Sequence, residues 1–468
     1  MISDPVPRAM PGTGFSLFNS TEKGYDLQKF ILFLFAISIL FLIIFSCDSS
    51  EKQPGDKITI TFWHSFVSST IPALNELLAM FEKEHPEITI RAQYIPTGDA
   101  LIQKLITAVQ SKTAPDISWL HSDFMQDLVE ADAIYKMEDF ISGPDSVRRE
   151  DLNDIYPALI RYASWRGVLY SLPMEATNLA LIYNKEMFRQ AGLNPEQPPR
   201  TWEELHEYAK KLTFDKDGDG KFEQVGLFLP IFPAAGPLSS WMVWQWLPYL
   251  WQADGEIINE EQTRVIFNEE AGVQALTLWQ NIFNDIKLST FTTDYDVAFA
   301  SRHLAMSMDG PWNLPRFEKM MQNLDWGFAP LPAGPKKSAT VVGGEYLAIF
   351  KQSKHPAEAW KFLKWIIRPE IQAFWSMKSG YLPIRHAVSK IPEFQEYLNS
   401  HPNFKVFVQQ MEVGQAQRPI DFYGIEITRY VAEAIEKATI GKVYPKTALD
   451  EAAVKANKLL SSVAERND

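Results

Sequence analysis

Apolar positions along the chain fall into two rhythms. Ile58-Thr59-Ile60-Thr61-Phe62 alternates with a period of two, which predicts a half-buried strand. Ile71, Leu74, Leu77, Leu78 and Phe81 recur at three- and four-residue spacing and predict a helix. Ile88 and Ile90 predict a strand, Leu101, Leu105 and Val109 a helix, and Ile117 to Leu120 a strand. This alternation implies parallel strands joined by crossover helices. Open sheets of that kind hold ligands beyond the carboxyl ends of their strands. For the first strand that end is Trp63-His64-Ser65. Further strands are predicted at Leu179 to Tyr183, Val225 to Leu229, Leu304 to Met308, Trp326 to Leu331 and Tyr346 to Phe350. Thr201-Trp202-Glu203-Glu204 fits a capping box, with Leu205, Tyr208 and Leu212 as the buried stripe of its helix. Ala357 to Ile367 reads as a helix behind Pro356. The C-terminal part is helical, through Val431, Ile435 and Ala438 and then Leu449, Ala453 and Leu460.

One run fits neither rhythm. Phe30 to Phe45 is apolar apart from Ser38, with Lys29 before it and the only cysteine, Cys47, two residues after it. A basic residue, an apolar core and a short stretch before a cut form the signal-peptide pattern. Ile44-Phe45-Ser46-Cys47 resembles a bacterial lipoprotein signal, in which the cysteine is lipidated and becomes the new N-terminus. The alternative is an uncleaved anchor, for which about 20 apolar residues are needed. Residues 1–47 are therefore expected to be a lipoprotein signal segment. Residues 48–56, Asp48 to Asp56, are a polar tether with no capacity to build a core. The rest is expected outside the cytoplasm, lipid-anchored to a bacterial membrane.

Charge and composition remove several function classes. The net charge of −13 opposes nucleic-acid binding, which rests on Lys and Arg neutralising phosphates. A single cysteine excludes an intramolecular disulfide. There is no CxxC or HExxH, and eight scattered histidines argue against a transition-metal site. Fourteen tryptophans leave room for a stacking site beyond what the core uses. Asp215, Asp217 and Asp219 take positions 1, 3 and 5 of a calcium-loop pattern, Gly220 position 6 and Glu223 position 9. Position 12 is Gly226, where a bidentate Glu is required. A structural calcium and a plain acidic turn are the two readings, and no cofactor is otherwise implied.

A series of short segments, in this order and spacing, identifies a family. They are Ile60-Thr61-Phe62-Trp63-His64, Thr113-Ala114-Pro115-Asp116-Ile117, Leu172-Pro173, Ile182-Tyr183-Asn184-Lys185 through Ala191-Gly192-Leu193, Pro198-Pro199-Arg200-Thr201-Trp202, Ala305-Met306 through Gly310-Pro311-Trp312, Val342-Gly343-Gly344 and Gly380-Tyr381-Leu382-Pro383-Ile384. Over nearly all of residues 57–465 the chain resembles the family 1 extracellular solute-binding proteins, which deliver sugars and related solutes to ABC importers. Thr61 to Ser65 and Tyr183 to Trp202 especially resemble the glycerol-3-phosphate-binding and maltose-type branches. The resemblance implies an α/β periplasmic-binding-protein-like fold of two lobes with the ligand in the cleft between them and a chain that crosses the hinge more than once. By that pattern the first lobe is 57–173 plus 313–378 and the second 174–312 plus 379–468. It also implies a monomer that binds a small-molecule carbohydrate, works with the permease subunits of an importer and is not an enzyme.

A sugar site needs aromatic faces for stacking and polar groups that pair with hydroxyls. Trp63, His64 and Ser65 are candidates by their place at a strand end. Glu175, Thr177 and Asn178 follow the crossing segment Leu172-Pro173. Trp241, Trp244, Trp246 and Trp251 form the densest tryptophan cluster, from which one or two are expected at the cleft, Trp244 among them. Asp309 and Trp312 lie after a predicted strand. Gly343 and Gly344 allow backbone to approach a ligand, and Glu345 and Tyr381 complete the set. Arg429 matches in position a ligand-contacting Arg of the glycerol-3-phosphate branch. Gly310 to Leu314 lacks the serine-rich stretch of that branch, which points away from a phosphate. The alternatives are a polyol-phosphate binder, an adhesion lipoprotein, and a secreted carbohydrate-active enzyme using a carboxylate pair drawn from Glu175, Asp309 and Glu345.

Overall fold

The computed structural model describes residues 57–467 apart from 97–98, 122–123, 144–145, 216, 220–221, 287–293 and 418–422. The predicted signal segment, with Cys47, and the tether lie outside the described residues, as does Gly220 of the acidic loop. No helix among the described residues is long and apolar enough to cross a membrane.

The chain opens β1 (Ile58–His64), α1 (Ile71–Glu84), β2 (Ile88–Tyr94), α2 (Asp99–Gln110) and β3 (Ile117–Leu120). Alternation in β1 buries Ile60 and Phe62, and the stripe Leu74, Leu77, Leu78 and Phe81 buries α1. Next come β4 (Leu172–Pro173), β5 (Thr177–Asn178), β6 (Ala180–Asn184), α3 (Trp202–Lys211), α4 (Ser239–Gln252) and α5 (Glu270–Asp285). The second half holds β7 (Met306–Asp309), β8 (Trp326–Ala329), β9 (Thr340–Gly343), β10 (Tyr346–Ile349), α6 (Pro356–Ile366), α7 (Pro369–Ser379), α8 (Pro402–Gln410) and β11 (Gly414–Gln415). Helices α9 (Gly424–Thr439) and α10 (Pro445–Asn467) close the chain.

Three sheets organise these elements. The first has the order β2-β1-β3-β10-β4, with β1 parallel to β2 and β3 as the alternation predicted, and β10 antiparallel to β3 and β4. The second is antiparallel, β8-β6-β7. The third, β11-β9-β5, lies along two passes that join the others: β5 follows β4 and precedes β6, while β9 precedes β10. These passes are tied by side chains. Thr340 donates its hydroxyl to the Leu179 carbonyl at 2.7 Å, Gln410 donates Nε2 to the same carbonyl at 2.9 Å, and Gln372 donates Nε2 to the Met174 carbonyl at 2.8 Å. A third pass adds the paired backbone bonds of Ala176 and Leu382.

Three local readings change. The strand at 326–329, expected within the first lobe, hydrogen-bonds to β6 of the second sheet, so the chain returns to the first sheet between β8 and β10. Val225 to Leu229 is not a regular strand. It makes an isolated bridge, Val225 to Leu304, and Gly226 then turns its N–H to the Thr213 hydroxyl at 2.8 Å. A Cβ at Gly226 would meet the Ala209 carbonyl at 2.0 Å, so this backbone is pressed onto α3. The capping box is displaced by one residue on its return arm. Thr201 Oγ1 accepts from Glu204 N–H, but Glu204 Oε2 accepts from Arg200 N–H at 2.7 Å.

Candidate functional site

The joining passes bring glycine, aromatic and acidic residues together. Gly343 pairs with Thr177 across the β9–β5 ladder. A Cβ at Gly343 would lie 3.2 Å from Cζ2 of Trp244 and 3.4 Å from Cγ2 of Thr177, so the indole rests close against bare backbone. Trp244 stacks on Trp241, with centroids 5.2 Å apart and planes 19° from parallel. Trp312 stands edge-on to Trp241 at 5.8 Å and tilted to Trp244 at 6.2 Å. All three are half-buried, whereas Trp246 and Trp251 of the same helix are enclosed in the core. Spacing placed four tryptophans on α4, and packing divides them into an inner and an outer pair. Trp241 is the one sequence reasoning did not single out. Its signal was the three-residue offset from Trp244, which puts both on one face.

Beside this cluster lies a buried acidic pair. Glu175 follows β4 and is wholly enclosed. Trp375 donates its indole N–H to Glu175 Oε2 at 3.0 Å, and Trp119 donates to Oε1 at 3.5 Å. Glu345, two residues after Gly343, is buried in the same region, and its backbone carbonyl accepts from Met174 N–H at 2.8 Å. Burial and then the Glu345 charge push the Glu175 carboxyl well above the usual carboxylate range. Burial also raises Glu345. The second oxygen of Glu345, Oε2, is buried without a hydrogen-bond partner, and so is the Thr177 hydroxyl. Phe66, Trp119, Trp375 and Tyr381 pack around one another, Phe66 meeting the other three edge-on at 5.3–6.1 Å. A Cβ at Gly344 would come within 2.3 Å of the Glu175 carbonyl, so only glycine lets the two passes meet there.

Other candidates sit elsewhere or serve the frame. Asp309 ends β7 fully enclosed, not facing a solute. It accepts from Tyr295 Oη at 2.8 Å, Gly310 N–H at 2.7 Å and Asn313 Nδ2 at 3.0 Å, and so anchors the turn that carries Trp312. Tyr295, fourteen residues upstream, has no sequence signal that marks it as this partner. Asn178 is also enclosed and donates Nδ2 to the Phe407 carbonyl at 2.8 Å. Ser65 donates to the Ile95 carbonyl at 2.7 Å. His64 packs among Phe62, Phe66 and Tyr94, and burial pushes its pKa down to about 4, so it is neutral. Trp63 points to a groove of about 610 Å³ with Gln93, Gln103 and Thr107, under the Lys104 ammonium at 4.8 Å. Arg429 is exposed on α9 with its guanidinium over the Tyr430 ring. In the acidic loop, carboxylate oxygens of Asp215, Asp217 and Glu223 lie within 4.8 Å of one another, and Asp219 is outside that group.

The setting of Asp309 gives a pH prediction. Burial raises its pKa from 3.8 to about 6 in spite of the three bonds it accepts. The folded protein therefore holds a proton that the unfolded chain has released, and stability falls as pH rises from about 3.8 to about 6. Asp309→Asn keeps the shape and removes the titration. Relative to that variant, the wild type is expected to lose about 3 kcal/mol across this window, at ~1.4 kcal/mol per pKa unit. Urea denaturation of both proteins at several pH values measures the difference, and parallel profiles would contradict it.

Comparison with known proteins agrees with this architecture. The sn-glycerol-3-phosphate-binding periplasmic protein UgpB of Escherichia coli (strain K12) is 26% identical over 420 residues, which cover 86% of this chain and 92% of that protein. The cyclic alpha-maltosyl-1,6-maltose binding protein from Arthrobacter globiformis superposes with a TM-score of 0.74 at 25% identity, covering 87% of this chain and all of that one. The sugar-binding protein MalE from Xanthomonas citri gives a TM-score of 0.70 at 25% identity, over 87% of this chain and 98% of that one. The fold is thus the mixed α/β, two-lobed architecture of periplasmic sugar-binding proteins. The sequence model described as bacterial extracellular solute-binding protein matches residues 76–403, and with glycine-lined crossing strands beneath half-buried tryptophans, the chain belongs to that family.

Proposed function

We propose that this protein is the lipid-anchored, extracytoplasmic solute-binding component of an ABC importer and that it captures a carbohydrate. The observation that carries the reading is the packing of Trp241, Trp244 and Trp312 around the bare backbone of Gly343. Half-buried indoles offer apolar faces to a sugar ring, and the Thr177 hydroxyl and Glu345 carboxyl beside them are pairing groups for its hydroxyls. The side chains described at this cluster include no lysine or arginine, which favours a sugar over the polyol phosphate suggested by the UgpB likeness. Arabinose-to-maltotriose-sized neutral sugars and glycerol 3-phosphate, compared by thermal shift, test the choice. A bound solute raises stability by RT ln(1 + [L]/Kd).

Catalysis is disfavoured by the geometry of the acids. A glycosidase holds its two carboxyls about 5–9.5 Å apart across the scissile bond. Glu175 and Asp309 are both wholly enclosed, Glu175 held by two indole N–H groups and Asp309 by Tyr295, Gly310 and Asn313, so neither is presented to a scissile bond.

The anchor is tested separately. Cys47→Ala is expected to release the protein from the membrane or leave an uncleaved precursor, read by fractionation and intact mass. Unchanged attachment with unchanged mass would overturn lipidation at Cys47.

A further inference from the structure

Trp312 stands on a turn that is gripped at both ends. The turn runs from Asp309, the last residue of β7, through the single helical turn Pro311–Asn313 to Arg316 on the helix Leu314–Met320. Two consecutive residues at the start of the helix Tyr295–Ala300 do the gripping. Before Trp312, Tyr295 donates its hydroxyl to Asp309 Oδ2 at 2.8 Å. After Trp312, the buried Asp296 forms an ion pair with Arg316. The Tyr295 ring is itself fixed. It stacks on Phe228, with centroids 5.0 Å apart and planes 8° from parallel, and Phe228 N–H donates to the Met306 carbonyl of β7 at 2.9 Å. With Oδ2 taken by Tyr295, the other oxygen of Asp309 serves the turn and accepts from Gly310 N–H at 2.7 Å and Asn313 Nδ2 at 3.0 Å. Asp309 is fully enclosed, so loss of the tyrosine donor leaves Oδ2 buried and unbonded, which favours a rotated carboxyl and a loosened turn.

Two glycines seat the same turn. A Cβ at Gly310 would lie 1.7 Å from Cζ3 of Trp312, so the indole rests on bare backbone in an orientation that a side chain there would block. Gly380 follows α7 in the left-handed region, at φ 85°. A Cβ on it would meet the Pro311 carbonyl oxygen at 2.7 Å and Pro315 Cδ at 2.9 Å, so the turn is pressed onto the start of the third pass. We propose that Tyr295 and Asp296 are positioning residues, which hold Trp312 in its solute-receiving orientation before a solute arrives. The inference rests on the carbohydrate-binding reading above. A free indole loses side-chain freedom when it stacks on a sugar, and that loss opposes binding. A Trp312 already fixed between two anchors and two glycines loses little. Neither positioning residue needs to touch the solute: Tyr295 acts through Asp309, and Asp296 acts through Arg316.

Two readouts test this. The first is fluorotryptophan NMR of the solute-free protein, with the Trp312 resonance assigned by its disappearance in Trp312→Phe. Tyr295→Phe keeps the ring on Phe228 and removes only the hydroxyl, and Arg316→Gln releases the other grip. Each is expected to shift or split the Trp312 resonance and to leave that of the enclosed Trp246 in place. A Trp312 resonance that stays in place in either variant would overturn the two-point hold. The second readout is calorimetric titration with maltotriose and mannotriose. Tyr295→Phe is expected to weaken sugar binding by about two- to tenfold, the range for immobilising one side chain on binding. In a Trp312→Ala background the same substitution is expected to cost nothing further, because its effect passes through the indole. An undiminished loss in that background, or unchanged affinity in Tyr295→Phe alone, would overturn the positioning role. The two kinds of failure are distinguishable. Sugar binding with an unmoved Trp312 resonance refutes the hold and keeps the carbohydrate reading. A shifted resonance in a protein that binds no sugar of the panel supports the hold and refutes the carbohydrate reading.

Discussion

Trp375→Ala is expected to lower the unfolding free energy by about 3–5 kcal/mol, the range for emptying a buried tryptophan site. Trp375 is completely enclosed on α7. It stacks on Tyr381 with planes 12° from parallel and meets Phe66 edge-on at 5.3 Å. Alanine would open a cavity between them and also remove the donor to Glu175 Oε2. Loss of that donor adds the cost of a buried, underbonded carboxyl. Trp375→Phe restores ring packing without the N–H and is expected to recover more than half of the loss. Urea midpoints at unchanged m-value measure both variants. A cost below about 1 kcal/mol for alanine would mean that the aromatic wall around the acidic pair relaxes freely, contrary to its packing.

Trp312→Ala is expected to act on binding instead of folding. Trp312 is half-buried and contacts Trp241 and Trp244, so truncation leaves the core of α4 intact. The expected loss of sugar affinity is about 1–3 kcal/mol, the scale of one large apolar contact, with a change in urea midpoint much smaller than for Trp375→Ala. Trp246→Ala is the control, because Trp246 lies fully inside the core. It should destabilise the fold and leave the affinity of the remaining folded protein near that of wild type. Equal affinity losses at Trp246 and Trp312 would show that the outer tryptophans do not form the contact surface.

Much of the first sheet was legible because its elements are local and periodic. Period-two and helical spacing gave β1 through β3 with their two helices, and the parallel order followed from alternation alone. The passes that build the site were less legible. Strands β4, β5 and β11 are two residues long, too short to carry a period, and they exist through pairing with segments far away in sequence. Gly343 and Gly344 were recognisable as places of close backbone approach. The partners in that approach, Trp244 and the Glu175 carbonyl, come from elements 99 and 169 positions away. Asp309 shows the limit most plainly. A carboxylate at a strand end reads as available to a solute, but Tyr295 and Asn313 fold onto it and turn it into an anchor. His64 and Tyr381 likewise fill the aromatic packing behind the site.

The most direct test of the account is calorimetric titration of the purified protein with a panel of neutral oligosaccharides and glycerol 3-phosphate at neutral pH, with the mass of the recovered solute determined afterwards. The account predicts that a neutral sugar binds one to one, more tightly than glycerol 3-phosphate, and is recovered intact. Tighter binding of glycerol 3-phosphate than of every sugar, or recovery of a cleaved sugar, would contradict it.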